Sequence, residues 1–206
     1  MSVGEPIQAG ERLIPYRPGL DGLRGLSVAA VLAFHGGFSW AVGGYLGVSV
    51  FFTLSGFLIT SLLLAEHDRK GHVALRHFWG RRFRRLLPAS LLALVGIGVF
   101  GLTVATAEQA ERLGGDIAAA VAYVANWRFI FGGTSYGDLF AEPTPVLHFW
   151  SLAIEEQFYL VYPLFMVGLL GLAKGRRLVV GGVLGALLVA SVGASFMLGT
   201  GNLDRI

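Results

Sequence analysis

Long apolar runs, separated by short charged or glycine-rich segments, dominate the pattern of the chain. A helix needs about 20 mostly apolar residues to cross the hydrocarbon core of a bilayer. Five runs meet that need, at about residues 23–42, 46–64, 86–106, 146–172 and 178–198. Residues 1–22 are polar and interrupted by prolines, as in a tail at the membrane surface. The pattern predicts an all-α integral membrane protein, with a cytoplasmic tail over 1–22 and a multi-helix bundle over 23–206.

Composition supports the membrane class. Hydrophobic residues make up 54% of the 206 residues and charged residues only 14%, too little charge to give a soluble domain a polar surface. The net charge of +3 is compatible with a nucleic-acid partner. The basic residues cluster beside apolar runs, however, which indicates cytoplasmic ends of membrane helices and no nucleic-acid role. Because cysteine is absent, disulfides, thiolate metal sites and a cysteine nucleophile are excluded.

The distribution of charge predicts which loops face the cytoplasm. The basic residues after the second run are Arg69, Lys70, Arg76, Arg81, Arg82, Arg84 and Arg85. A second basic cluster at 174–177 follows the fourth run, whereas acidic residues outnumber basic ones over residues 107–145. Basic loops stay in the cytoplasm, so we expect a multi-pass protein of the plasma or inner membrane with its amino terminus inside. Residues 77–87 are expected to form an interfacial helix, and residues 117–125 a surface or re-entrant helix.

Two ionisable residues lie in or beside the first run. Arg24 and His35 are eleven positions apart, which places them on nearly the same helix face, about 16 Å apart along the axis. His35 is therefore expected about halfway through the hydrocarbon, as a catalytic or ligand-binding group or as a neutral buried histidine. Arg24 is expected at the cytoplasmic mouth, where it binds phosphate or else anchors the helix and pairs with Asp21.

A polar stripe runs along the fourth run. Its members, at spacings of three or four, are His148, Ser151, Glu155, Tyr159 and Tyr162. Such a stripe must face protein or water, either as a helix-packing seam or as part of a site. Glu155 favours a site, because a carboxylate within a membrane span is usually functional.

Four segments stand out in order along the chain. They are residues 20–25 (LDGLRG) with His35, residues 47–59 (GVSVFFTLSGFLI), residues 81–88 (RRFRRLLP) and residues 148–160 (HFWSLAIEEQFYL). With Asn126, Trp127 and Tyr136, they make the chain resemble the amino-terminal half of the membrane acyltransferase-3 family, which includes integral membrane O-acetyltransferases. The resemblance implies ten membrane helices that move an acyl group, usually acetyl, from cytoplasmic acyl-CoA to a hydroxyl of a cell-surface glycan, lipopolysaccharide, peptidoglycan or secreted metabolite.

The resemblance also implies roles for residues. Arg24 and His35 correspond to the arginine, ten residues, histidine motif, with His35 as the general base for the acceptor hydroxyl. Arg24 would bind the phosphates of acyl-CoA, and Arg82 and Arg85 would extend that entrance or serve only as topology anchors. Glu155 would orient or polarise the imidazole. Supporting roles are expected for Asp21, Ser55, Ser151 and Tyr159, with acyl-CoA as co-substrate and no bound cofactor or metal.

Five runs are half of the ten helices that the resemblance implies. We therefore expect activity to need a carboxyl-terminal half or a partner chain, because an isolated half would turn its polar stripes toward lipid. Two other functions remain open from sequence. A transporter or acyl-group channel would also place histidine, arginine and glutamate along a pathway. A non-catalytic subunit or truncated relative is the other alternative.

Overall fold

The computed structural model describes residues 14–132 and 144–200, and helices account for most of them. In chain order these are α1 (Pro18–His35), a 3-10 helix (Ser39–Tyr45), α2 (Leu46–Lys70), α3 (Leu75–Thr103), α4 (Ala107–Val121), α5 (Ala125–Phe131), α6 (Phe149–Leu172) and α7 (Arg177–Thr200). Tyr136 of the family resemblance, most of the expected tail and the acidic residues at 138 and 142 lie outside the described residues.

Four stretches of the described chain are long and apolar enough to cross a membrane. They are Ser39–Lys70, Leu75–Thr103, Phe149–Leu172 and Arg177–Leu198. These helices confirm the all-α membrane class and include the second, fourth and fifth predicted runs. The first predicted run, 23–42, is not among these four stretches.

The first run is shorter than predicted because α1 ends at His35. Gly36 caps the helix, and Gly37 adopts a φ of +73°, a left-handed conformation that glycine reaches without steric cost. The chain then turns into the 3-10 helix instead of continuing to Val42. His35 therefore lies at the end of a helix and not halfway along a span.

The third run is longer than predicted. Residues 77–87, expected as a separate interfacial helix, form the beginning of the continuous helix α3. Phe78 shows the reason, because its ring is buried in an apolar core with Ile59 of α2 and Met166 of α6. Burying this aromatic ring draws the basic segment into the bundle.

Two glycines allow α1 and α2 to pack closely as antiparallel neighbours. A Cβ at Gly44 would lie 2.2 Å from the carbonyl oxygen of Ala30, and one at Gly47 would lie 2.5 Å from that of Ser27. No side chain fits in either position, so the backbones meet directly, as small residues permit in membrane proteins.

The segment expected as a surface or re-entrant helix packs back along α3. The side chain of Leu113 on α4 occupies the space above Gly101, and the Tyr123 hydroxyl lies 3.1 Å from Ser90 Oγ. Ser90 is thirteen residues before the end of α3, so α4 and its turn reach back by about 20 Å. Gln157 of α6 holds this turn by donating hydrogen bonds to the Tyr123 carbonyl (2.8 Å) and to Asn126 Oδ1 (2.9 Å). α4 and α5 therefore form a helical hairpin that packs against α3 and α6.

The two basic clusters lie at one end of the bundle. Arg177, at the start of α7, donates a hydrogen bond to Asp68, near the end of α2. Lys174 and Gly175 both adopt left-handed backbone conformations in the turn that brings α7 to this position. The contact places the loops after α2 and α6 on the same side, as the charge distribution predicts.

Pro163 creates an acceptor that α3 uses. A proline has no N–H, so Pro163 in the middle of α6 leaves the carbonyl of Tyr159, four residues earlier, without its helical donor. The indole Nε1 of Trp79 on α3 donates to that carbonyl at 3.0 Å. Because hydrocarbon offers no other donor, this hydrogen bond satisfies α6 and joins it to α3.

The hydrogen bond from Trp79 predicts an energetic coupling between Trp79 and Pro163. Trp79→Phe should destabilise the protein by about 1–3 kcal/mol, because it leaves the buried carbonyl of Tyr159 unpaired. In a Pro163→Ala background the alanine supplies the missing backbone N–H. Trp79→Phe should then lower the free energy of unfolding by less than half as much. The measurement is a double-mutant cycle on the unfolding of the complete protein in detergent. Trp40→Phe is the matched control, since Trp40 is 77% exposed. An equal cost in both backgrounds would contradict the assignment.

Candidate functional site

Two imidazoles meet where α1 ends and α6 begins. The ring centroids of His35 and His148 are 4.5 Å apart, with the planes at 83°, an edge-to-face contact. Ser151, one turn into α6, donates a hydrogen bond to the His148 carbonyl at 3.2 Å and fixes the backbone there. From sequence, His148 was only one member of the polar stripe. The structure makes it the neighbour of His35.

The hydrogen bonding of His35 defines its reactive nitrogen. Nδ1 lies 2.9 Å from the carbonyl oxygen of Val31, which can only accept a hydrogen bond. Nδ1 must therefore carry the proton, and in a neutral ring Nε2 holds the free lone pair. The residue is exposed in the described chain. Nε2 of His35 is thus available to accept a proton from a ligand.

His148 sits just before the α6 span and is disposed to stay neutral. Partial burial lowers the pKa of His148, and the positive charge that His35 can carry lowers it further. A neutral His148 leaves the pair with at most one positive charge.

A carboxylate and two hydroxyls form a second cluster between α2 and α6. Ser55 Oγ donates to Glu155 Oε1 at 2.8 Å, and the Tyr159 hydroxyl donates to the same oxygen and lies 3.0 Å from Ser55 Oγ. The expectation that Glu155 orients the imidazole is not supported by this geometry. Glu155 is seven residues from His148 along one chain, a rise of about 10 Å, and it engages hydroxyls instead.

Arg82 belongs to the same cluster. Its guanidinium carbon lies 3.6 Å above the ring centroid of Tyr159 and 5.3 Å from that of Phe78. Stacking uses the flat face of the guanidinium and leaves its N–H edges free. Within the described residues, no group accepts a hydrogen bond from Arg82. Arg85, one turn further along α3, is exposed and is not brought into the cluster.

Glu156 is a site residue that sequence reasoning missed. It is only 8% exposed, and its Oε1 has no hydrogen-bond partner among the described residues. Together with Trp79, Arg82 and Tyr159 it lines a cavity of about 10 Å³, room for one water molecule. A buried carboxylate oxygen without a donor is costly, so this position requires a proton, a water or a ligand donor. Its place beside Glu155 in the sequence was the available signal.

Arg24 approaches this cluster from α1. Its guanidinium carbon lies 5.3 Å from the ring centroid of Phe51, which is one turn from Ser55 on α2, and it is not paired with Asp21. Asp21 lies in the first turn of α1, where a negative charge complements the helix dipole. Phe51 is about 28 Å from Lys70 by helix rise. Arg24 therefore does not lie at the basic end of the bundle, where the sequence placed it.

The site thus has two levels. Arg24, Ser55, Glu155, Tyr159 and Arg82 form a charged level. The imidazoles form the second level. His35 lies about 16 Å from Arg24 along α1, and His148 lies about 10 Å from Glu155 along α6. Since α1 runs antiparallel to α2 and α6 parallel to it, both imidazoles lie in the same direction from the charged level. The arrangement suits an elongated ligand with an anionic end and a reactive end.

The residues that the structure describes contain no group of three or more His, Asp or Glu side chains placed to hold a metal ion.

Comparisons with known proteins identify the family. A family model described as an acyltransferase domain matches residues 17–204. The chain is 45% identical over 177 residues to the peptidoglycan O-acetyltransferase OatA of Listeria monocytogenes, which covers 86% of this chain and 28% of that protein. It is 45% identical over 161 residues to the putative peptidoglycan O-acetyltransferase YrhL of Bacillus subtilis, a match that covers 78% of this chain and 25% of that protein. A putative O-acetyltransferase of Staphylococcus aureus is 41% identical over 190 residues, a match that covers 92% of this chain and 31% of that protein.

The chain spans between a quarter and a third of the length of these curated relatives. No solved structure matches it. The family model covers every helix from α1 to α7, including both levels of the site. The chain therefore belongs to the acyltransferase-3 family.

Proposed function

We propose that the complete protein is a membrane-bound O-acyltransferase. It moves an acyl group such as acetyl from cytoplasmic acyl-CoA to a hydroxyl of a cell-surface carbohydrate or lipid-linked glycan. The observation that carries the proposal is the free Nε2 lone pair of His35, held at a fixed distance along α1 from the Arg24 guanidinium. The names of the relatives support O-acetylation, and two of them support peptidoglycan as the acceptor.

His35 is the general base in this mechanism. A sugar hydroxyl is a weak nucleophile at neutral pH, and transfer of its proton to Nε2 lets the oxygen attack the thioester carbonyl. The new C–O bond forms, the C–S bond breaks, and the imidazolium returns the proton to the departing thiolate. No proton is gained or lost overall, so His35 is neutral again at the end of the cycle.

His148 is a positioning residue for this base. Its ring packs edge-to-face on His35 and limits rotation of that imidazole, while the Nδ1 hydrogen bond to Val31 selects the tautomer. Because the pKa of His148 is lowered, it stays neutral to a more acidic pH than an ordinary histidine. A proton taken from the acceptor therefore remains on His35.

Arg24 and Arg82 are the donor-binding residues in this proposal. A guanidinium offers a planar fork of donors that fits phosphate oxygens, and Arg82 makes no hydrogen bond to the described residues that would compete. Binding of the phosphates at the charged level would direct the thioester toward the imidazoles. Arg85, exposed on α3 one turn beyond Arg82, adds positive charge beside this level.

The first test removes the base. His35→Ala in the complete protein should lower acyl transfer by about 10²–10⁴ while membrane insertion stays normal, because loss of a polar group suits a membrane helix. Activity of the unmodified protein should also fall on acidification, since a protonated imidazole has no lone pair. The measurement is acyl transfer from labelled acyl-CoA to isolated glycan over a pH series.

Two outcomes would contradict the role of His35. Normal transfer by a well-inserted His35→Ala protein would remove it from the mechanism, and poor insertion would make it a structural histidine. Movement of acyl-CoA-derived label across the membrane without transfer, unchanged in His35→Ala, would favour the transporter.

Arg24 gives a second test. Arg24→Lys keeps the positive charge and loses the bidentate fork, so the KM for acyl-CoA should rise about tenfold while the KM for the glycan changes little. Arg69→Lys is the matched control, because it makes the same exchange at the basic end of α2. Equal effects on both KM values would mean that Arg24 supports the helix and does not bind the donor.

The orientation is tested separately from the chemistry. With the basic ends in the cytoplasm, reporters inserted at residues 72 and 175 should report cytoplasmic and one at residue 105 extracytoplasmic. A cytoplasmic signal at residue 105 would overturn this orientation and with it a cytoplasmic donor.

A further inference from the structure

The hairpin of α4 and α5 contains an open cleft of about 460 Å³ that the proposed reaction does not use. Its lining includes Gly115, Ala119, Val124, Trp127, Arg128 and Phe131. We call it the α4–α5 cleft. The hairpin connects the far end of α3 to the beginning of α6. The cleft is therefore in the half of the bundle that holds His35 and His148, away from the basic loops.

The polar part of the cleft is the guanidinium of Arg128, which its neighbours hold in one orientation. Arg128 Nε donates to Asp116 Oδ1 at 2.6 Å, and Asp116 is buried. The guanidinium also lies flat against Gly115, where a Cβ would come within 2.4 Å of Nη2. A carboxylate and a glycine thus fix one orientation of the Arg128 side chain, and any larger residue at position 115 would displace it.

Among the described residues, the donors of Arg128 other than Nε are not used. Asp116 takes the Nε proton, and the side chain of Arg128 is still 43% exposed. No other hydrogen bond is made by its Nη groups within the described chain. The ion pair is neutral overall, so it suits hydroxyl and amide oxygens better than a phosphate dianion.

The apolar part of the cleft is an aromatic wall. Trp127 and Phe131 lie one turn apart on α5, with ring centroids 5.8 Å apart and planes inclined by only 14°. Trp127 is 49% exposed and Phe131 78% exposed. The negative faces of such rings attract weakly positive C–H groups, and one face of a pyranose ring presents a row of them.

A stacked aromatic pair beside a neutral, oriented hydrogen-bond donor is the chemistry that recognises a sugar. We infer that the α4–α5 cleft binds a neutral pyranose unit of the acceptor glycan, with its C–H face against the Trp127–Phe131 pair and its hydroxyl or acetamido oxygens on the Nη groups of Arg128. The inference rests on the proposed function for the identity of the acceptor, but the binding itself does not require acyl transfer.

The test measures binding without catalysis. A tetramer of β-1,4-linked N-acetylglucosamine is titrated into the complete protein carrying His35→Ala in lipid nanodiscs, with calorimetry as the readout. Trp127→Ala and Arg128→Gln should each weaken binding about tenfold or more, a loss of about 1.4 kcal/mol. Phe131→Tyr keeps the aromatic face and should bind nearly as well. The matched control is Trp40→Ala, which removes an exposed tryptophan on the 3-10 helix.

The outcomes separate this inference from the proposed function. Absence of binding by the parent protein, or equal affinity in Trp127→Ala, Arg128→Gln and Trp40→Ala, would overturn the sugar site, even if the unmodified enzyme acylates glycans. Loss of binding confined to Trp127→Ala and Arg128→Gln would support it, even if acyl transfer is never detected. In an active enzyme, the same two variants should raise the KM for glycan and leave the KM for acyl-CoA unchanged.

Discussion

The carboxylate of Glu155 is the constraint on which the bundle depends. A charged group in a membrane helix must find donors inside the protein, and Glu155 takes the hydroxyls of Ser55 and Tyr159. Those contacts join α2 to α6 at one height. A hydrogen bond between Thr60 and Tyr162, 2.6 Å long, repeats the junction a turn away and fixes the helices in register. This junction determines the positions of both levels of the site, because α1 packs on α2 and His148 precedes α6.

α3 is attached to the same junction by a different device. Pro163 exposes the carbonyl of Tyr159 to Trp79, and the ring of Tyr159 carries the guanidinium of Arg82. One tyrosine therefore contacts α2 through its hydroxyl and α3 through its carbonyl and its ring. The cost of a cation among apolar helices is offset by the aromatic face and the nearby acids, Glu155 and Glu156. An arginine that charge counting treats as a topology anchor becomes part of the site.

The sequence predicts what depends on period and composition. The membrane class follows from the apolar runs, and the spacing of the stripe in α6 places Glu155 and Tyr159 on one face. Partners on other helices do not follow from spacing. The contact between His35 and His148 joins residues 113 positions apart, and it depends on α1 ending at Gly36 and on the position of α2. The predicted position of Arg24 differs from the observed one for the same reason, since the depth of α1 is set by its contact with α2 and not by its own pattern.

The glycine contacts between α1 and α2 have a consequence for selectivity. Because Gly44 and Gly47 touch the backbone of α1 directly, α1 and α2 cannot slide past each other without forcing a Cβ or a carbonyl into occupied space. The interval from Arg24 to His35 lies within the single helix α1 and has a fixed length of about 16 Å. If Arg24 binds the donor phosphates as proposed, this interval would select for the length of the acyl carrier, because a thioester on a shorter thiol would reach the imidazole only by leaving the arginine. Discrimination among acyl groups would then come from the walls around the imidazoles.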